Sequence, residues 1–153
     1  MRRDASTTPG PLDRVASDCI AVRVRLINRV VTAIYDEALR PLGSRVSQMN
    51  LLVAVARMGE TRPSDVCRAL RLEKSTLSRD VEVMKARGWL ESDPPTGGRN
   101  QVLRITPAGR DLLVRARPAW ESAQAEARRL IGEDGVDALQ RIAARLGLGA
   151  TSE

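Results

Sequence analysis

Apolar residues recur at helical spacing along most of the chain, and the points where the spacing fails divide it into segments. From Leu12 to Leu39 one stripe runs through Leu12, Val15, Cys19, Val22, Leu26 and Val30, and a second through Ile20, Val24, Ile27, Val31 and Ile34. This predicts a long helix, and two apolar faces on it call for packing on more than one side. Arg23, Arg25 and Arg29 lie between the stripes, where their stems cover carbon while their heads stay in water. Pro41-Leu42-Gly43 stops the helix. Val46, Met49, Leu52, Val53 and Ala56 give one face of a second helix, Ser44 to Met58, ended by Gly59. Thr61 ahead of Pro63 reads as the N-cap of a short helix from Arg62 to Leu70, with Val66, Cys67 and Leu70 inward. After a tight link at Arg71 and Leu72, a further helix spans Lys74 to Arg87. There Leu77, Val81 and Met84 fall at i, i+4 and i+7, and Gly88 is the stop.

The period then changes. Trp89-Leu90-Glu91 and Gln101 to Ile105 read as two short strands around a turn-rich segment, Ser92 to Asn100, that holds two prolines and Gly97-Gly98. Thr106-Pro107 opens a long helix to Ile131, with Pro118 a point for a kink. Gly132 to Gly135 reads as a break before a last helix, Val136 to Leu146, with Leu139, Ile142, Ala143 and Leu146 on one side. Trp89 and Trp120 are expected in the core, and no internal repeat is present.

Short helix, tight turn, second short helix and two-stranded hairpin make a winged helix-turn-helix. The expected fold is therefore mainly α with a small β-wing, and the N- and C-terminal helices form a dimerisation region. The divisions that follow are a flexible tail (1–10), an N-terminal dimerisation helix (11–43), a winged helix-turn-helix DNA-binding domain (44–106), C-terminal dimerisation helices (107–148) and a second tail (149–153). The dimer follows from area: a winged unit of this length covers little of the wide apolar faces on the terminal helices, and the surplus needs a partner.

The chain's 153 residues set the scale of one domain, and 42% hydrophobic with 29% charged residues is a globular composition that excludes disordered and fibrous classes. The longest apolar run, Leu51 to Ala56, is far below the ~20 residues of a membrane span, and the N-terminus lacks the apolar stretch of a signal peptide. A cytoplasmic protein with no membrane partner is expected. There is no histidine, which removes Ser-His-Asp and Cys-His catalysis and His-based metal sites. Cys19 and Cys67 stand alone, so neither a disulfide framework nor a metal site is on offer. No catalytic residue, metal or cofactor is expected, and the protein is read as not an enzyme.

Charge then sharpens the picture. Lys plus Arg number 25 against 19 Asp plus Glu, a net +6, and all the basic residues except Lys74 and Lys85 are Arg. Arg's planar fork suits phosphates and guanine edges, so double-stranded DNA is the expected partner once a motif supports it. The helix after Leu72 supplies the motif. With Leu77, Val81 and Met84 inward, its other flank presents Lys74, Ser75, Thr76, Ser78, Arg79 and Glu82. Short hydroxyls beside one Arg suit a groove, and Arg79 can pair bidentately with guanine. The competing reading is a solvated face in a helical adaptor, with acidic Glu73, Asp80 and Glu82 giving it footing.

The run "YDEALRPLGSRVSQMNLLVAVARMGETRPSDVCRALRLEKSTLSRDVEVMKARGWLE" followed by "GGRNQVLRITPAGRDLL" resembles the MarR family of bacterial winged helix-turn-helix repressors. "STLSR", "RGWLE" and "RITPAGR" are its most specific parts. The resemblance implies a homodimer on a pseudo-palindromic operator, acting as a repressor and released by a small-molecule inducer or an oxidant. It places Ser75, Thr76, Ser78 and Arg79 on the major-groove helix, Arg62 and Ser64 on the helix start that approaches phosphates, and Arg99, with Asn100 beside it, on the wing. The family's wing commonly carries Asp two positions before that Arg. Here Gly97 stands there, so a carboxylate brace is missing from the tip.

Asn28, Tyr35 and Trp120 are candidates for a ligand pocket where the dimer helices meet the winged unit. Cys19, near Arg23 and Arg25, is a candidate redox thiol, and the opposing reading is a small buried residue on the dimer face. Cys67 reads as a packed, inert thiol. Three alternatives remain beside the regulator: a helical interaction or small-molecule-binding protein that keeps the fold without reading DNA, a redox sensor through Cys19, and a thiol-dependent redox enzyme.

Overall fold

A computed structural model describes Gly10 and residues 17–93 and 101–148. The chain divides into two units, Met1–Ala33 and Ile34–Glu153. Helix α1 (Ile20–Leu39) runs through the boundary. In the first unit its side chains are exposed from Ile20 to Val30, among them Ile20 at 77% and Val24 at 60%. Of the two predicted stripes, Val22, Leu26 and Val30 of one and Ile20, Val24 and Ile27 of the other are exposed, whereas Cys19 and Val31 are half-buried.

The second unit follows α1 with a 3-10 turn (Arg40–Leu42), then α2 (Val46–Met58), α3 (Pro63–Leu70), α4 (Lys74–Ala86), β1 (Leu90–Ser92), β2 (Leu103–Ile105), α5 (Pro107–Ile131) and α6 (Glu133–Arg145). Gly43 takes the left-handed conformation (φ 65°) that closes the 3-10 turn. The start of α2 is satisfied from two sides. Asp36 Oδ1 accepts the Val46 N–H at 2.8 Å, and Gln48 Oε1 accepts the Arg45 N–H at 3.2 Å.

One core joins Leu51, Leu52 and Val55 of α2 to Val66, to Leu77, Val81 and Met84, to Trp89, Leu90, Leu103 and Ile105 of the hairpin, and to Leu112 and Ala116 of α5. Each fully buried large aliphatic contributes about 1.5–3 kcal/mol. The α4 face matches its periodicity, with all three predicted residues buried. In α2 the arc is rotated: Leu51 and Val55 are buried, while Val53 is 45% exposed. In the unbroken apolar run Leu51–Ala56 periodicity cannot choose a face, and helix packing makes the choice.

The strands pair antiparallel in the register Leu90↔Ile105, Glu91↔Arg104 and Ser92↔Leu103. Thr61 adds an isolated antiparallel bridge to Leu103, closed by bonds of 3.2 and 2.7 Å. This corrects the capping assignment. Thr61 is buried as a sheet neighbour, and Arg62 occupies the N-cap of α3 without a side-chain cap. Thr106 does cap α5: its hydroxyl accepts the Gly109 N–H at 3.0 Å and donates to the Gly88 carbonyl at 2.6 Å. α5 continues through Pro118 to Ile131. The break before α6 is Gly132 alone, since Gly135 lies inside that helix. Trp89 is buried as expected, whereas Trp120 is 49% exposed and is not a core residue.

Candidate nucleic-acid interface

The helix-turn-helix is set by one residue in an unusual conformation. Arg71 ends α3 in the left-handed region (φ 51°), and the Leu72 N–H turns back to the Cys67 carbonyl at 2.9 Å. Half-buried Cys67, Leu70 and Leu72 pack against the core and hold the turn down. α4 then leaves the body with Leu77, Val81 and Met84 buried and with Lys74, Ser75, Thr76, Ser78, Arg79 and Glu82 exposed.

Between α4, the start of α3 and β2 lies a cleft of about 280 Å³. Arg62, Ser64, Lys74 and Ser78 line it together with Glu82 and Gln101, two residues outside the predicted set. The structure thus brings the helix-start residues and the α4 flank to one concavity. Arg62, Lys74 and Arg79 have no hydrogen-bond or ion-pair partner among the described residues. Most arginines of α5 are tied up: Arg115 to Asp111 at 2.8 Å, Arg117 to Glu121 at 2.8 Å and Arg129 to Glu126 at 2.6 Å. The predicted Arg99 and Asn100, and Gly97-Gly98, lie outside the described residues.

The base of the hairpin carries a brace that sequence reasoning missed. Arg104 reaches Asp93 with two bonds, 2.6 and 3.3 Å, and Glu60 with Nε at 2.7 Å. It spans β1, β2 and the segment before α3. The Arg104 hydrogen bond holds the Asp93 carboxyl below its ordinary range, against a smaller opposing effect of desolvation, and the Arg104 guanidinium is held more firmly protonated. A carboxylate absent at position 97 is therefore present at Asp93. The signal available in the sequence was the alternation that puts Arg104 on the face opposite Leu103 and Ile105.

The pocket candidates separate. A cavity of about 300 Å³ lies between the end of α1, α2 and α5, with apolar walls from Leu39, Met49, Val53 and Leu113, and with Asn50, Arg117 and Trp120 at its edge. Trp120 lines it. Tyr35 does not: its hydroxyl donates to Gln124, and burial pushes its pKa up. Asn28 is exposed in the first unit, where Cys19 is half-buried. No described group of His, Cys, Asp or Glu could hold a metal ion, and no helix is long and apolar enough to cross a membrane.

Two helices joined by a tight turn, the second projecting a polar flank, with a two-stranded hairpin behind them, define a winged helix-turn-helix protein. Residues 43–100 match the MarR family. The chain is also similar in fold to a Cys-to-Ser variant of MarR from E. coli complexed with operator DNA, at TM-score 0.75 and 17% identity over 87% of this chain and 96% of that one. The M. tuberculosis transcriptional regulator MosR aligns at TM-score 0.71 and 27% identity, covering 86% and 94%. A probable transcriptional regulator from Pseudomonas aeruginosa aligns at 0.74 and 23%, covering 86% and 98%. No curated protein matches in sequence. The similarity to the MarR family is thus carried by residues 43–100 of the chain.

Proposed function

We infer that the protein is a DNA-binding transcriptional regulator that inserts the exposed flank of α4 into the major groove. The observation that carries this is the exposed flank of α4 and the cleft beside it: Arg62 and Lys74 line that cleft with Ser64 and Ser78, Arg79 is exposed next to Ser78 on α4, and none of the three cations has an acceptor among the described residues, although most cations on α5 are ion-paired. An unneutralised cluster beside short hydroxyls is placed to meet phosphates and base edges. Ser75, Thr76, Ser78 and Arg79 read the groove, Arg62, Ser64 and Lys74 meet the backbone, and Arg99 with Asn100 reaches the minor groove from the wing.

The division into a dimerisation helix (11–43), a winged DNA-binding domain (44–106) and C-terminal dimerisation helices (107–148) belongs to the same proposal. Exposed Ile20, Val24 and Ile27 on α1, Leu139 and Ile142 on α6, and Leu146 at its C-cap support a homodimer. Two-fold symmetry then sets two α4 helices about 34 Å apart on an inverted repeat. The protein acts in the cytoplasm of a bacterium as a repressor, without catalysing a reaction. The cavity beside Trp120 is the place for an inducing ligand, and Cys19 is the candidate thiol for an oxidant signal.

Gel-shift titration against random DNA and DNA from upstream of its own gene tests the reading. With about six to ten phosphates neutralised per dimer, affinity falls roughly 10³ to 10⁵ between 50 and 200 mM salt. Absence of a shifted complex on any DNA, or a complex indifferent to salt, overturns it and favours a helical interaction protein on the same fold.

A further inference from the structure

We propose that Val83 is a specificity-determining residue that recognises the C5-methyl group of a thymine close to the guanine read by Arg79. The proposal rests on the DNA-binding reading above and deepens it. Ser75, Arg79 and Val83 succeed one another at four-residue steps and so form one ridge of α4, away from buried Leu77, Val81 and Met84. Val83 is 43% exposed and stands outside the core. Its isopropyl group ends a ridge whose other members are a hydroxyl and a guanidinium without a partner among the described residues. Neighbouring Glu82 has its carboxylate drawn to Lys85 at 3.2 Å, so the apolar tip is not shadowed by an unpaired negative charge.

An apolar side chain on a groove-facing ridge has one feature of the major groove to match, the thymine methyl, since the other exposed edge groups are hydrogen-bond donors and acceptors. Four residues of helix advance about 6 Å. Base pairs are spaced by about 3.4 Å. Val83 therefore falls about two base pairs from the base that Arg79 contacts.

The test begins with selection of a preferred site from random duplex DNA by the full-length wild-type protein. Each thymine of that site is then replaced in turn by uracil, which removes the methyl and leaves every hydrogen-bonding edge unchanged. The expected result is one thymine per half-site, one to three base pairs from the Arg79-dependent guanine, whose replacement weakens wild-type binding about fourfold, the worth of one buried methyl. Val83→Ala binds the thymine site about fourfold more weakly and is indifferent to uracil there; Val83→Thr, which keeps one methyl, restores part of the discrimination. Alanine suits an exposed helix position, so loss of folding does not obscure the result. An unchanged uracil penalty in Val83→Ala, or no sensitive thymine at that distance in the wild type, overturns the assignment while leaving DNA binding intact. Failure to select any sequence removes the DNA-binding reading as well.

Discussion

Gly109 is the position where one added methyl group has the most calculable consequence. It is the third residue of α5, and a Cβ built on it would lie inside contact distance of the Trp89 carbonyl oxygen, 3.1 Å from the carbonyl carbon and 2.8 Å from Ile105 Cγ1. The first obstacle is backbone and cannot rotate away. That same carbonyl accepts the Thr106 N–H at 3.1 Å, so relieving the clash pulls the first turn of α5 off the hairpin and lengthens a buried hydrogen bond. Overpacking costs about 1–3 kcal/mol, and a weakened backbone hydrogen bond adds about 1 kcal/mol. The helix propensity of alanine returns about 1 kcal/mol. Gly109→Ala should therefore destabilise by about 2 kcal/mol, or roughly 4–8 °C in melting temperature for a chain of this size.

Gly135→Ala is the matched comparison. It too is the third residue of its helix, but its added Cβ meets only the Ile131 side chain, with Cγ2 at 2.6 Å. A side chain can shift, so this variant should be within about 1 kcal/mol of the wild type. Urea denaturation followed by circular dichroism at one fixed protomer concentration measures both, because self-association couples stability to concentration. If Gly109→Ala proves as stable as the wild type, the close approach of α5 to Trp89 does not constrain the fold and the steric argument fails.

Arg79→Ala should cost about 1–3 kcal/mol on the preferred site and flatten base preference there, whereas Arg62→Ala should weaken all sequences alike and reduce the salt slope; equal losses on every sequence from both variants would refute base reading by Arg79. Asp93 has a folded-state pKa below its unfolded one, so its pairing with Arg104 stabilises fully above the unfolded value and is lost as pH falls through the folded value. Asp93→Asn should then show a shallower loss of stability in acid than the wild type, and identical acid limbs in denaturation midpoints would contradict the pairing. Ile142, 53% exposed on α6, should be covered in a dimer; Ile142→Glu should cost about 1–3 kcal/mol per buried side chain and yield monomers in sedimentation at micromolar concentration, and an undisturbed dimer would place the interface elsewhere.

The helices and the hairpin were legible because each carries a complete local pattern. Leu77, Val81 and Met84 alone fix which side of α4 is buried, and so which side is free for Arg79 and the serines. Pro63, Gly88 and Pro107 punctuate the chain at the element boundaries. Where local pattern was degenerate, it misplaced residues. The apolar run in α2 did not say that Val53 faces outward, and Trp120 has a composition fit for a core and a position beside a cavity. Thr61 has the chemistry of a cap, but a bridge to Leu103, a partner 42 positions away, decides its place.

The amino-acid order by itself determined the succession of elements, the buried faces of the short helices and the absence of histidine chemistry, because these depend on residues within a few turns of one another. Only the tertiary structure decided that Arg62, Lys74 and Arg79 go without partners among the described residues while Arg104 gathers Asp93 and Glu60. Whether a charge is spent within the fold or left for a ligand depends on which distant segments are brought within hydrogen-bonding range, and residue spacing carries no record of that.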